Sequence, residues 1–201
     1  MKTVIIDYGV GNLKSVEKAF EFIGSPAIVT SDYREVLSAD RVILPGVGAF
    51  REAMSSLEKY EMDRAVKETI AEGKKFLGIC LGMQLLFDYS EEGDVEGLGI
   101  LKGKIKKFPL MKDLKIPHMG WNSIDYSKKC DLFNNINDPF VYFVHSYYLD
   151  AEQRDVVSAR TNYGIDFDSA VHFENIYATQ FHPEKSGETG LKMLRNFVLE
   201  D

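Results

Sequence analysis

The chain has 201 residues, 45% hydrophobic and 27% charged, the balance of a soluble globular domain with enough chain for one sizeable core. Its formal net charge of −7 argues against nucleic acid or an anionic membrane surface as partner, since both repel a negative protein. Two cysteines cannot make a disulfide framework, no apolar run reaches spanning length, and the acidic residue in MKTVIID interrupts any signal-peptide core, so a reduced, cytoplasmic setting is expected.

Residues 3–7 read as a buried strand, followed by a tight connection at Gly9 and Gly11. From Asn12 the apolar period lengthens. Leu13, Val16, Phe20 and Ile23 fall on one helical face, which Gly24 ends. Short strands follow over 27–29 and 41–44, the second running into PGVG. A helix over 62–72 turns Ala65, Val66, Thr69 and Ile70 inward, a fourth strand covers 76–79, and a helix covers 82–89. This alternation predicts an α/β fold with a mostly parallel central sheet flanked by helices.

The second half carries strand-like runs with less helix between them, over 100–105, 140–145, 156–161, 169–173 and 176–180. They are expected to return antiparallel, extending the sheet or forming a second small layer. A final helix over 187–200 presents Leu191, Leu194 and Phe197 or Val198 inward. Residues 108–115, with few apolar anchors, form a loop or lid candidate. There is no repeat or low-complexity linker, and one domain over 1–201 is expected.

The stretch FLGICLGMQLLF holds Cys80 between Gly78 and Gly82. A lone cysteine is most often a core residue. Here small residues two positions away on each side, between a strand and a helix, match a nucleophile elbow with sulfur in place of a hydroxyl. Glycines relieve the crowding of so sharp a turn. The following helix would aim free N–H groups at the sulfur and favour thiolate, and the Leu81 N–H can face a developing oxyanion. Of the four histidines, His182 in QFHPEKS is best placed to act as base. Gln180, His182 and Glu184 alternate as on an extended chain, and Pro183 favours extension at His182. Glu184 would then orient the imidazole. From these residues alone, a surface turn at a strand end explains the stretch equally well. In LPGVGAF, Gly46 and Gly48 permit unusual backbone angles and the peptide N–H near Val47 can serve as a second oxyanion donor, although an ordinary glycine turn is the plainer reading.

Taken together, PGVG at 45–48, GICLGMQLLF at 78–87 and QFHPEKS at 180–186 resemble the class I, triad-type glutamine amidotransferases, in order and spacing, over essentially the whole chain. DYGVGN at 7–12 and PHMGWN at 117–122 narrow the resemblance to the branch that serves separate-chain imidazole glycerol phosphate synthases. The resemblance implies a flavodoxin-like fold with antiparallel strands added in the C-terminal half. It assigns Cys80 as nucleophile, His182 as base and acid, Glu184 as orienting carboxylate, and the Val47 and Leu81 peptides as oxyanion hole. Gly46, Gly48, Gln84, His145, Ser146 and Tyr147 would contact the substrate, L-glutamine. Asn12, Met119 and Trp121 would lie near a partner, a (β/α)8-barrel cyclase joined in a heterodimer. Ammonia freed from glutamine would pass to that cyclase, which makes imidazole glycerol phosphate and aminoimidazole carboxamide ribonucleotide in histidine biosynthesis. No organic cofactor and no metal are expected, since the histidines are scattered and neither HExxH nor CxxC occurs. Cys130 reads as structural or surface.

Overall fold

The computed structural model describes residues 1–110, 114–127 and 129–199. Part of the lid candidate, residues 111–113, and the end of the expected last helix, residue 200, lie outside the described residues.

The first half alternates as its periodicity requires. It runs β1 (Thr3–Ile6), α1 (Leu13–Phe22), β2 (Ala27–Thr30), α2 (Tyr33–Leu37), β3 (Arg41–Gly46), α3 (Phe50–Lys59), α4 (Met62–Ala71), β4 (Lys75–Cys80) and α5 (Leu81–Gln84). The second half contains β5 (Tyr89–Ser90), β6 (Val95–Glu96), β7 (Gly103–Lys107), β8 (His118–Ser123), β9 (Asp125–Tyr126), β10 (Phe140–His145), β11 (Tyr147–Ala151), β12 (Val157–Asn162), β13 (Asp166–Phe173), β14 (Ile176–Thr179) and α6 (Gly187–Val198). The main sheet runs β2-β1-β3-β4-β14-β13-β11-β7-β5-β6, with β12 beside β13 and β9 beside β12.

Strands β2, β1, β3, β4 and β14 are mutually parallel, and β13, β11 and β7 continue the sheet antiparallel. The late run that becomes β14 therefore departs from the expected antiparallel return. It inserts beside β4, in parallel, with Thr179 opposite Ile79. A separate antiparallel pair, β8 and β10, sets His118 opposite His145. The expected strand over 100–105 begins only at Gly103, and PHMGWN supplies a strand where none was expected.

Alternation across the parallel strands divides the core in two. Val4, Ile6, Val42, Leu44 and Phe76 face one cluster with α3 and α4, while Ile5, Ile43 and Leu77 face the other with Val16 and Phe20 of α1 and Leu194 and Phe197 of α6. Burial on both faces explains why these strands read as continuous apolar runs. Helix α3, absent from the expected elements, keeps its buried Phe50, Ala53, Met54 and Leu57 at helical spacing. Helix α2 is too short for a periodic signal. Its N-terminus is set by Asp32, whose carboxylate accepts from the Arg34 and Glu35 N–H groups.

The largest local correction concerns the helix expected over 82–89. It stops after one turn, at Gln84. Leu86 and Phe87 tighten into bonds to the Met83 and Gln84 carbonyls, and the carbonyls of Leu85, Leu86 and Phe87 accept from Leu98, Ile100, Leu101 and Gly99. Backbone pairing with a distant loop has replaced the next helical turn.

Candidate active site

Cys80 ends β4 with φ 54° and ψ −109°, a sparsely populated conformation for a residue with a side chain. The glycines around it are required by close approach. A Cβ on Gly82 would lie 1.8 Å from the Leu44 carbonyl oxygen, and one on Gly78 would lie 2.9 Å from the Gly82 carbonyl oxygen. The elbow therefore packs backbone to backbone on β3, whose Gly46 pairs with Cys80 at the last rung. Gly46 has a packing role of its own, because a Cβ there would come within 2.8 Å of the Leu81 Cβ and the Tyr8 hydroxyl. With α5 only one turn long, little helix dipole is available to the sulfur.

On the other side of β4, the chain leaving β14 continues through Gln180 to His182. The His182 N–H donates to Tyr142 O at 3.0 Å. The Ser186 hydroxyl accepts from the Tyr142 N–H at 2.9 Å and donates to His182 O at 2.6 Å. His182 is extended, as Pro183 demands, but Glu184 does not continue that extension. Pro183–Lys185 is a short 3-10 turn, and the carboxylate reaches back so that His182 Nδ1 lies 2.8 Å from Glu184 Oε1. Both side chains are 2% exposed. His182 Nε2 is buried and meets no partner in hydrogen-bond geometry. Burial opposes the imidazolium, but the neighbouring Cys80 sulfur and Glu184 outweigh it and raise the His182 pKa to about 10.

A cavity of about 440 Å³ opens over the sulfur, within the range of small-molecule sites. Val47, Gly48, Leu81 and Gln84 line it on one side, and His145, Ser146 and Tyr147 on another. His182, Glu184 and Gly46 are not among its walls. Asn12 is exposed, and Met119 and Trp121 project from the same face of β8, 61% and 57% exposed. Pro117, just before β8, lines the cavity.

Several wall residues carried no sequence signal. Glu92 enters from the loop after β5, where its carboxylate accepts from the Phe50 N–H at 3.1 Å. Its pKa is raised, by burial first and by Glu52, against the lowering effect of that N–H. Lys185 also lines the cavity. Beneath the wall, His145 Nδ1 lies 2.8 Å from Tyr147 O, His145 Nε2 lies 3.0 Å from His118 Nδ1, and Asn122 Nδ2 lies 3.3 Å from His118 Nε2. The carbonyl can only accept, so both rings carry their proton on Nδ1 and the chain of donors runs one way, from Asn122 to Tyr147. Burial lowers the His118 pKa to about 4; burial first, opposed by the Tyr147 carbonyl and aided by His118 and His182, lowers that of His145 to about 3. Cys130 is buried, the structural half of its sequence reading, and burial raises its thiol pKa to about 11. Among the described residues, no helix is long and apolar enough to cross a membrane.

Residues 4–200 match the family described as glutamine amidotransferase class-I. The chain is 50% identical over 200 residues to the imidazole glycerol phosphate synthase subunit HisH of Aquifex aeolicus, covering 98% of this chain and 96% of that one. It is 52% identical over 197 residues to the protein of the same name from Chlorobium chlorochromatii, covering 96% and 98% respectively. A crystal structure of a glutamine amidotransferase shares the fold with a TM-score of 0.76 at 18% identity, over 97% of this chain and 96% of that one.

Proposed function

This chain belongs to the class-I glutamine amidotransferases, and on that premise we propose that it is the glutaminase subunit of an imidazole glycerol phosphate synthase. One observation carries the chemistry. β4 is flanked by β3 and β14 in parallel, so the cysteine, the PGVG segment and the His182–Glu184 pair leave the sheet at one edge, with Cys80, Val47 and Gly48 lining the cavity there.

The Cys80 thiolate attacks the side-chain amide carbon of glutamine, and the C=O electron pair moves to oxygen. Peptide N–H groups of Leu81 and Val47 stabilise that oxyanion; loss of one such donor costs roughly 3 kcal/mol in the barrier. His182, charged and held by Glu184, gives its proton to the departing nitrogen. The C–N bond breaks, ammonia leaves and a glutamyl thioester remains. His182 then takes a proton from water, hydroxide adds to the thioester, and glutamate departs as sulfur regains the electron pair. Glu92 and the backbone at His145–Tyr147 offer acceptors and donors for the ammonium and carboxylate of the amino acid.

Ammonia released into water mostly becomes ammonium, which is not nucleophilic. Delivery to a cyclase seated over the cavity avoids that loss. Met119, Trp121 and Asn12, exposed at the surface, are suited to such a partner, a (β/α)8-barrel subunit that closes the imidazole ring in histidine biosynthesis. The test is reconstitution with that cyclase and its ribonucleotide substrate. Glutamate release should rise strongly over the isolated chain, and Cys80→Ala should abolish glutamine-dependent product while added ammonia still supports it. Equal glutamate release with and without the liganded partner, or glutamine turnover by Cys80→Ala, would overturn the reading. Rescue of a histidine auxotroph separates this synthase from a paralogous one.

A further inference from the structure

The amide of Gln180 takes no part in the steps above, yet it joins the nucleophile to Gln84 in the cavity wall. Gln180 is fully buried. Its Oε1 accepts from Gln84 Nε2 at 2.8 Å, and its Nε2 donates to Cys80 Sγ at 3.6 Å. Gln84 Nε2 also donates to Tyr147 O at 3.2 Å. An amide nitrogen carries two hydrogens, so both are used, and a flipped Gln84 would set its oxygen against two acceptors. Gln84 is thereby locked with its own oxygen left for the cavity it lines. A fixed acceptor there suits the ammonium end of an amino acid. A side chain needed only to fill space would be apolar, because burying an amide has a desolvation cost that only its partners offset.

We propose that Gln180 is a positioning residue that couples recognition of glutamine to the sulfur: it holds the Gln84 amide in its reading orientation and supplies a hydrogen bond to the Cys80 sulfur. The coupling deepens the glutaminase reading and rests on it. Sulfur and substrate reader are then fixed by one rigid amide, so that a ligand seated on Gln84 meets a sulfur already in place.

Two variants test it in the full chain with the cyclase bound. Gln180→Met keeps the length and removes both hydrogen bonds. It should raise KM for glutamine about tenfold, the loss of roughly one well-made hydrogen bond, and slow alkylation of Cys80 by iodoacetamide at neutral pH severalfold. Gln180→Glu serves if the methionine variant does not fold. As a neutral acid it accepts from Gln84 and donates O–H to sulfur; ionised, it cannot donate. Its alkylation rate relative to the native protein should approach unity at acid pH and fall as pH rises. Cys80, His182 and Tyr8 are common to both proteins, so the ratio reads the change at position 180. An unchanged KM or an unchanged alkylation rate in a folded Gln180→Met, or a flat ratio in Gln180→Glu, would overturn the coupling. Alkylation needs no turnover. Alkylation that depends on Gln180 in a chain that releases no glutamate would sink the glutaminase reading instead, and turnover with Gln180-independent alkylation would sink the coupling alone.

Discussion

At the scale of single residues, the arrangement around Cys80 is a set of constraints on one imidazole. His182 is pinned through its backbone by Tyr142 and Ser186, and through Nδ1 by Glu184. What remains is Nε2, next to the sulfur in charge if not in hydrogen-bond geometry. Glu184→Gln keeps the shape but removes the carboxylate that raises the His182 pKa. The expected outcome is a fall in kcat for glutamine of roughly two to four orders of magnitude, with KM changed much less, measured as steady-state glutamate release by the reconstituted complex. A loss confined to KM would show that the carboxylate acts on binding rather than on the imidazole.

At the scale of elements, the elbow depends on the turn of α5 meeting β3 with no side chain between them. Gly82 sits where any Cβ would enter the Leu44 carbonyl, and that carbonyl belongs to β3 backbone that cannot rotate aside. Gly82→Ala should therefore lower thermal stability by several kcal/mol, a drop of about 10 °C or more in Tm for a chain of this size. A calorimetric Tm within 2 °C of the native protein would contradict so tight a fit. The cap of α2 offers a milder comparison: Asp32→Ala removes both N-terminal acceptors and should cost about 1 kcal/mol, or roughly 2–4 °C. Much of this layer was legible. The glycine spacing around Cys80 and the faces of α1 and α4 follow from local chemistry. The early end of α5 was not legible, because it is caused by a loop arriving from residues 97–101.

At the scale of the whole molecule, the two buried histidines make stability depend on acid. His118 and His145 are neutral in the folded chain, with pKa values lowered to about 4 and about 3, whereas in the unfolded chain both titrate near 6.5. Between about pH 6.5 and those lower values the unfolded state binds more protons. The contribution of these two histidines is therefore full above 6.5 and is lost as pH falls through that window. Chemical denaturation followed from pH 7 to pH 4 should show this slope, and His118→Gln should reduce it by about half. A slope unchanged by that substitution would mean that His118 is not held neutral by its surroundings.

The sequence by itself determined the pieces whose causes are local. The alternation of apolar runs and turns specified a mostly parallel α/β sheet, and the motifs at 45–48, 78–87 and 180–186 carried the family. Only the tertiary structure decided their assembly. β14 is separated from β4 by about a hundred residues, and periodicity contains no statement of which strand it joins or in which direction. Hydrogen bonding beside β4, in parallel, brings His182 and Gln180 to the sulfur. The same long-range packing ended α5 after one turn, bent Glu184 back onto His182, placed Glu92 and His145 in the cavity wall, and set His118 against His145. Those contacts depend on distances between residues far apart in the chain, and such distances exist only once the core has closed.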